Sequence, residues 1–235
     1  MSINIKRHST VEVMQHWGSD EFSVRAAQVS VKGANDPTLL SPAKKEGLIK
    51  HLVKMRHGVP FEHEGFTFYI QMPITVMRQV AKHRISSISE VSGRYRELEN
   101  NFYLPPVERP LVNTGTSARP ERGESTQAQF SVMEKAHLVA YEKAWEAYQV
   151  MLEAGIWTEV ARDVLPVGFM TEVYLSINLR SLMNFLAQRI DSDIALVRSH
   201  PMWEIEQVAE RMEEEFANTF PLIWQGFIEA GRVAP

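Results

Sequence analysis

Residues 78–96 read RQVAKHRISSISEVSGRYR, and this segment differs in charge from the rest of the chain. Its charged side chains are Arg78, Lys82, Arg84, Arg94 and Arg96 against Glu90 alone. The whole chain, in contrast, has a formal net charge of −4. Serines and a glycine separate the basic residues, and their hydroxyl and amide groups can approach phosphate oxygens closely. The segment therefore predicts an anion-binding site, in which arginine would add charge-assisted hydrogen bonds.

The composition is that of an ordinary globular protein. Apolar residues make up 44% and charged residues 23% of 235 residues, which suits one domain with a sizeable core. The mild acidity argues against nucleic acid as a partner, because broad nucleic-acid binding usually needs a basic face. No apolar run approaches the roughly 20 residues of a membrane span. The polar start MSINIKRHS is unlike a signal peptide, so we expect a cytoplasmic protein with no membrane partner.

The chain contains no cysteine. This excludes disulfides, thiolate metal sites and every mechanism with a cysteine nucleophile. His57, Glu62 and His63 precede a predicted strand as candidate metal ligands, but their spacing matches no familiar zinc pattern. We therefore expect no metal site.

The hydrophobic periodicity predicts a mixed α/β fold, with a small mixed or antiparallel sheet packed by several helices in one domain over residues 1–235. Predicted strands cover residues 10–17 and 170–178, and a third lies within the segment 59–73, where residues 66–71 alternate and His57, Glu62 and His63 precede the strand. Predicted helices cover residues 19–30, 42–57, 74–83, 125–154, 158–164, 180–189 and 202–230. Gly58 is expected to end the second helix, and residues 104–124, rich in Pro, Gly and Arg, are expected to form a mobile surface segment.

Four separated segments resemble the flavin-dependent thymidylate synthase family. They are PFEH with FTFYI, the KHR stretch ending in SGRYR, VARDVLP, and NLRSLMNFLAQR. In the second segment, Lys-His-Arg followed after seven residues by Ser92 is a variant of the family's Arg-His-Arg signature. The segments occur in the family's order and the resemblance covers most of residues 19–105 and 155–210.

The resemblance implies reductive methylation of dUMP to dTMP by a homotetramer with active sites at subunit interfaces. It also implies bound FAD, methylenetetrahydrofolate as carbon donor and NADPH as reductant. In a chain without cysteine, uracil cannot be activated by the usual thiolate addition at C6. Hydride from a reduced flavin would be the substitute.

The family pattern also assigns roles to individual residues. The residues matched to cofactor binding are Ser30, Val59, Glu62, Lys82, His83, Arg84, Ile85, Glu90, Asn178, Arg180 and Asn184. The residues matched to substrate binding are Gln79, Lys82, Glu90, Ser92, Gly93, Arg94, Arg162 and Arg189.

The candidate catalytic residues are Arg189, Ser92 and His57. Hydride attack at C6 pushes negative charge into the uracil ring, so a fixed guanidinium at Arg189 would stabilise the transition state more than the ground state. Ser92 as a nucleophile would need a positioned base, and the spacing supplies none, so we favour orientation of the nucleotide. His57 matches a histidine near the flavin and folate.

The chain departs from the family pattern at Lys82, Ser89 and Val59, and residues 190–201 form a longer segment than usual. Lys82 retains charge but loses the planar fork of arginine. Two alternatives to the synthase remain at this point. One is a noncatalytic nucleotide- or RNA-binding module that uses residues 78–96 as a basic patch, and the other is a flavoprotein of the same fold without synthase activity. For residues 78–96 taken alone, the alternative to an anion-binding site is a solvated basic loop.

Overall fold

A computed structural model describes residues 3–117 and 119–235. The strands are β1 (Asn4–Lys6), β2 (Thr10–Trp17), β3 (Gly65–Pro73), β4 (Ser87–Glu90), β5 (Asn101–Tyr103), β6 (Val112–Asn113), β7 (Arg122–Gly123) and β8 (Met170–Asn178). The helices are α1 (Asp20–Lys32), α2 (Pro42–Lys54), α3 (Ile74–Val80), α4 (Gln127–Glu153), α5 (Thr158–Ala161), α6 (Leu179–Arg189), α7 (Trp203–Thr219) and α8 (Pro221–Glu229). Single 3-10 turns cover Val59–Glu62 and Arg162–Val164. The predicted mixed α/β fold is confirmed.

The main sheet has four strands in the order β2-β3-β8-β4. In β3, Phe66, Phe68 and Ile70 are fully buried while the residues between them are half-buried, as the period of two in the sequence predicts. Separately, β1 pairs in parallel with β5, and β6 pairs antiparallel with β7. Strands β6 and β7 lie within residues 104–124, which were expected to form a mobile surface segment.

The chain divides into two compact units. Unit 1 comprises the described residues up to Thr10 together with Gln71–Val80 and Glu90–Val173, and unit 2 comprises Val11–Ile70, Ala81–Ser89 and Tyr174–Pro235. The prediction of one domain over the whole chain stays a prediction.

Unit 1 has an aromatic core. Phe102 stacks on Tyr141 with ring centroids 4.8 Å apart, and Trp145 and Phe169 meet Phe102 edge-on. The long helix α4 supplies Tyr141 and Trp145, and it begins at a capping box in which the Thr126 side chain accepts from the backbone N–H of Gln129.

Unit 2 is built mainly from helices, with α2 packed on α8 and α6 packed on α7. The Asp20 carboxylate accepts hydrogen bonds from the backbone N–H groups of Leu222 and Ile223, both at 3.1 Å. These donors belong to the first turn of α8, where N–H groups have no partner within the helix. Asp20 at the start of α1 therefore caps a helix some 200 residues later in sequence.

Helix α2 ends three residues earlier than predicted, and Gly58 does not end it. The N–H of His57 donates to the Leu52 carbonyl at 2.9 Å and that of Arg56 donates to Val53 at 3.0 Å, which is the Schellman pattern. The residue with positive φ in this motif is Arg56, at φ 58, whereas Gly58 has φ −74. Arginine rarely adopts this conformation, so the sequence contained no signal for it.

Other boundaries also differ. The strand predicted from residues 66–71 extends over Gly65–Pro73, and the residues before it, Val59–Glu62, form a 3-10 turn in which Pro60 and Phe61 are buried. Helix α3 ends at Val80, and residues 87–90 form a strand where a loop was expected. Within the described ranges, no helix combines the length and apolar character needed to cross a membrane.

The buried carboxyl of Glu64 predicts an unusual dependence of stability on pH. Burial raises the pKa of Glu64 from 4.5 to about 7, opposed by the Ser23 hydroxyl and assisted by the Asp20 charge. Between these two pH values the native state binds more protons than the unfolded chain, so stability falls as pH rises through the interval. Glu64→Gln removes this titration and is expected to stabilise the protein at pH 8 by up to about 3 kcal/mol, with little effect at pH 4.

Urea unfolding at pH 4 and pH 8, at one protein concentration, measures the effect of Glu64→Gln. The exposed Glu12 on β2 offers the matched control Glu12→Gln, for which no change is expected. If wild type and Glu64→Gln lose stability equally between the two pH values, the buried carboxyl is not the cause.

Candidate active site

Unit 1 contains a pocket of about 490 Å³ with arginines in its lining, called here the arginine pocket. The residues that line it are Ile74, Arg78, Glu90, Val91, Ser92, Gly93, Leu98, Arg162, Asp163, Leu165, Phe169, Met170 and Thr171. Four of the predicted substrate-binding residues are therefore brought together. They come from two parts of the chain, residues 90–93 and Arg162, which the sequence alone could not place side by side.

Local structure explains how the polar residues reach the arginine pocket. Arg78 projects from α3, and Glu90 ends β4, where its carboxylate accepts from the Thr171 hydroxyl at 2.7 Å. The next residues turn sharply, since the Ser92 hydroxyl oxygen accepts from the N–H of Arg94. Ser92 thus orients the loop, and no histidine lines the pocket as a base for it, which agrees with the preference for an orienting role.

Glycine at position 93 lets two side chains approach the loop. A Cβ atom there would lie 2.9 Å from Leu98 Cδ1 and 3.1 Å from Arg162 Cδ, both closer than normal contact. Gly93→Ala is therefore expected to displace Arg162 and weaken nucleotide binding by about tenfold. Isothermal titration with dUMP measures the loss.

Gly47→Ala is the matched control for Gly93→Ala. Gly47 lies within α2, and a Cβ there would have no neighbour within 4 Å. Alanine should stabilise that helix by roughly 0.5–1 kcal/mol without changing dUMP affinity. If Gly93→Ala binds dUMP as tightly as Gly47→Ala does, the close approach to Arg162 is not needed for binding.

Four predicted substrate-binding residues do not line the arginine pocket, and two of them, Lys82 and Arg189, belong to unit 2. Gln79 is next to Arg78 on α3 but is absent from the lining. Arg94 donates from Nε to Glu159 at 2.9 Å, and its guanidinium lies over the Tyr95 ring at 5.4 Å. The ion pair with Glu159 directs Arg94 elsewhere, so its predicted role is not supported by this pocket.

The structure adds residues that sequence reasoning left out of the site. Arg78 opens the basic segment but was given no role in the site, although its position one helical turn before Lys82 was visible in the sequence. Arg78 and Arg162 form no ion pair within residues 3–117 and 119–235, which suits binding of a phosphate. Asp163 and Thr171 also line the pocket, and no sequence signal distinguished them.

In unit 2, His83 and Arg189 are hydrogen-bonded. Arg189 donates from Nε to His83 Nε2 at 3.1 Å, and the His83 ring meets Phe185 edge-on with centroids 4.7 Å apart. Burial, followed by the Arg189 charge, lowers the pKa of His83 to about 4. His83 is therefore a neutral acceptor at physiological pH, and burial also lowers the pKa of Arg189. Family matching assigned His83 to the cofactor and missed this contact.

His83 is expected to keep Arg189 oriented only while its imidazole is neutral. Because the pKa of His83 is about 4, the contact should persist above that pH and be lost as pH falls through it. His83→Ala is expected to lower turnover by about tenfold, whereas His83→Gln, which retains an acceptor, should lose less. Steady-state rates measured from below pH 4 up to pH 9 report both the effect of the substitutions and the loss of the contact. Equal loss in the two variants would contradict the acceptor role.

The predicted cofactor residues around the first 3-10 turn form one cluster. Arg180 pairs with Glu62 and donates from Nε to the Pro235 carbonyl at 2.8 Å. Gly58 makes this possible, because a Cβ there would overlap the Arg180 side chain at 2.4 Å. His57 is exposed beside this turn, as is Val59 at 64%.

The remaining cofactor candidates are placed less specifically. Asn178 caps α6 by accepting from the N–H of Ser181 at 2.9 Å, and Asn184 accepts from Gln188 at 3.1 Å. Ser30 is exposed in the last turns of α1. The structure shows no contact that joins Ser30 to the other candidates.

The loop between α3 and β4 exposes cationic and apolar side chains together. Lys82 and Arg84 are exposed, and Ile85 is 74% exposed, while His83 turns inward. Cations suit phosphate groups and exposed apolar side chains suit a flat ring, so this donor set fits a phosphorylated, ring-bearing cofactor. Across the described residues, no cluster of three or more His, Asp or Glu side chains is arranged to hold a metal ion.

The chain is similar to known proteins over nearly its full length. A model of the family described as thymidylate synthase complementing protein matches residues 12–222. A curated flavin-dependent thymidylate synthase from Streptomyces avermitilis is 45% identical over 229 residues, covering 96% of this chain and 93% of that protein. One from Tropheryma whipplei is 38% identical over 227 residues, covering 96% and 95%.

A solved structure is also similar over the full length. The UMP/dUMP methylase PolB from Streptomyces cacaoi, bound with 5-Br UMP, has a TM-score of 0.93 and 36% identity, covering 100% of both chains. Its structure bound with 5-Br dUMP has a TM-score of 0.93 and 39% identity, covering 99% of this chain and 100% of that chain.

Proposed function

Because this chain belongs to the thymidylate synthase complementing protein family, we propose that it catalyses the reductive methylation of dUMP to dTMP. Membership makes it a flavin-dependent enzyme with a folate co-substrate, as in its curated relatives. The proposal extends to FAD as the flavin, methylenetetrahydrofolate as carbon donor and NADPH as reductant. It also includes a cytoplasmic homotetramer with active sites at subunit interfaces.

The arginine pocket is the observation that carries the proposal. Glu90, Ser92, Gly93 and Arg162, which the family pattern matches to the nucleotide, line one pocket with Arg78. A volume of about 490 Å³ is in the range of small-molecule sites. Two arginines suit the phosphate of a nucleotide, and the carboxylate of Glu90 and hydroxyl of Ser92 suit its sugar and base.

The pair of His83 and Arg189 supports the proposed chemistry. When bound, a reduced flavin would supply the hydride that adds at C6 of uracil. The Arg189 guanidinium, oriented by neutral His83, would stabilise negative charge that develops on the uracil ring. Because His83 already holds the Arg189 guanidinium in place, this group loses less conformational entropy on reaching the transition state than an unrestrained arginine would.

A reconstituted assay tests the proposal. Purified protein is combined with FAD, NADPH, methylenetetrahydrofolate and dUMP under anaerobic conditions, and dTMP is measured by chromatography. The expected result is dTMP that depends on all four components. Absence of dTMP from flavin-saturated protein would overturn the proposal.

UMP is a second candidate substrate. The structure of PolB, similar over the whole chain, was solved with analogues of both UMP and dUMP. The same assay with UMP in place of dUMP tests whether UMP is methylated. A similar turnover per substrate would make the enzyme a methylase of both nucleotides, whereas no product from UMP would restrict it to dUMP.

The noncatalytic RNA-binding alternative has less support. Within unit 1, Arg94 pairs with Glu159 and Arg96 pairs with Glu99, so these cations do not form an open basic patch. Arg78 lies instead in the arginine pocket. The curated relatives are enzymes, and the chain shares nearly their full length.

A further inference from the structure

A second pocket lies in unit 2, at the carboxyl end of α2, with a volume of about 610 Å³. It is called here the α2 pocket. The residues that line it are Lys50, Val53, Lys54, Arg56, Ile194, Leu196, Gly226, Glu229, Ala230, Gly231 and Val233. None of these residues belongs to the candidate active site described above.

The α2 pocket carries positive charge. Lys50 is neutralised by Glu46 at 2.7 Å and Glu229 at 2.9 Å. Lys54 and Arg56 are exposed and form no ion pair within the part of the chain that the structure describes. In a chain of net charge −4, two uncompensated cations on one pocket favour an anionic ligand.

Part of the lining is apolar and belongs to the long segment before α7. Ile194 is 57% exposed and Leu196 is 75% exposed. The wall is held in place, because the N–H of Leu196 donates to the Gly231 carbonyl at 2.9 Å. The neighbouring Arg232 is buried and pairs with both oxygens of Glu213, at 2.8 and 3.0 Å. An ordered apolar wall and two cations in one pocket suit a ligand with an anionic part and a flat apolar part.

The α2 pocket adjoins the cofactor cluster of unit 2 at two points. Arg56 directly precedes His57, and the 3-10 turn with Glu62 follows. Val233 lies two residues before Pro235, whose carbonyl accepts from Arg180. A ligand in the α2 pocket is therefore next to residues that the family resemblance matches to the cofactor.

We infer that the α2 pocket binds the anionic part of a co-substrate that reacts at the flavin, and this inference rests on the proposed function. The shared chemistry is a multiply anionic group attached to a flat aromatic system. Both co-substrates of the proposed reaction have it, as the phosphates of NADPH or as the glutamate carboxylates of the folate. Residues 190–201, longer than usual for the family, would thus contribute a ligand-binding wall.

Binding measurements on the FAD-loaded protein test the inference with NADP⁺ and pteroyltriglutamate as separate probes in isothermal titration. Lys54→Gln combined with Arg56→Gly is expected to weaken one of them by about tenfold. Arg56→Gly should not impair folding, because glycine adopts the φ of 58 without strain. Lys44→Gln, at the exposed start of α2, is the matched charge control and should leave both affinities unchanged.

The two probes separate the sources of the anion. Weaker binding of NADP⁺ assigns the pocket to the reductant, and weaker binding of pteroyltriglutamate assigns it to the folate. No binding of either probe to wild type, or equal affinities in wild type and the double variant, overturns the inference. Titration requires no turnover, so a chain that binds a probe through Lys54 and Arg56 but makes no dTMP would overturn only the proposed synthase activity.

Discussion

Replacing Arg189 with alanine is expected to lower turnover of dUMP by about a thousandfold while changing flavin affinity by less than about twofold. The Arg189 guanidinium is half-buried and is oriented by its hydrogen bond from Nε to His83 Nε2 at 3.1 Å. This fixed cation would stabilise the negative charge that develops on uracil in the transition state. In the alanine variant, water molecules would have to reorient around that charge and would stabilise it less. The loss should appear in turnover, because the interaction strengthens only as the reaction proceeds.

Flavin absorbance during titration and single-turnover formation of dTMP measure the two effects of Arg189→Ala separately. Arg189→Lys retains the charge without the Nε donor, and we expect an intermediate rate. Arg211→Ala is the matched control, because Arg211 forms an exposed ion pair with Glu214 on α7. If Arg189→Ala loses flavin and turnover to the same extent, the residue is structural.

Replacing Arg162 with alanine is expected to weaken dUMP binding by about thirtyfold, which corresponds to about 2 kcal/mol for a charge-assisted hydrogen bond. Arg162 begins the 3-10 turn beside the arginine pocket and has no ion pair in the described residues, so a phosphate would be its main partner. Flavin binding, which depends on residues of unit 2 in the proposal, should be retained.

Titration with dUMP and with deoxyuridine, which lacks the phosphate, measures the contribution of Arg162. The variant should bind both with similar, low affinity, because the phosphate no longer adds binding energy. Arg96→Ala, which removes an exposed ion pair with Glu99 in the same basic segment, is the control. A variant that still prefers dUMP strongly would show that another cation holds the phosphate.

Regular elements with clear periodicity were predictable from the sequence. Strand β8 has the predicted bounds, because its apolar residues alternate with polar ones. Helix α6 begins one residue before its predicted start, because its apolar residues recur every three or four positions. The end of α2 was not predictable, since a Schellman motif closed by Arg56 contradicts the usual preference for glycine. Strand β4 was missed because its serines have low strand propensity, and pairing in the sheet outweighs that preference.

The candidate site was predictable as a set of residues and only partly as an arrangement. The family resemblance, now confirmed, supplied Ser92, Gly93 and Arg162, which do line one pocket. It could not supply the hydrogen bond from Arg189 to His83, because these residues are 106 positions apart and no periodicity relates them. The ion pair that directs Arg94 to Glu159 is likewise a product of the fold.

The cap that Asp20 provides to α8 has a consequence for the order in which the chain can fold. During synthesis the Asp20 carboxylate is made some 200 residues before the N–H groups of Leu222 and Ile223 that it binds. All of unit 1 has been synthesised once residue 173 is added, whereas unit 2 still lacks α6, α7 and α8 at that point. Contacts of such long sequence separation form late, because closing the intervening chain costs entropy. We therefore expect unit 2 to gain protection from hydrogen exchange only after the last helix has been completed, and nascent chains halted before residue 221 to remain sensitive to proteases in α1.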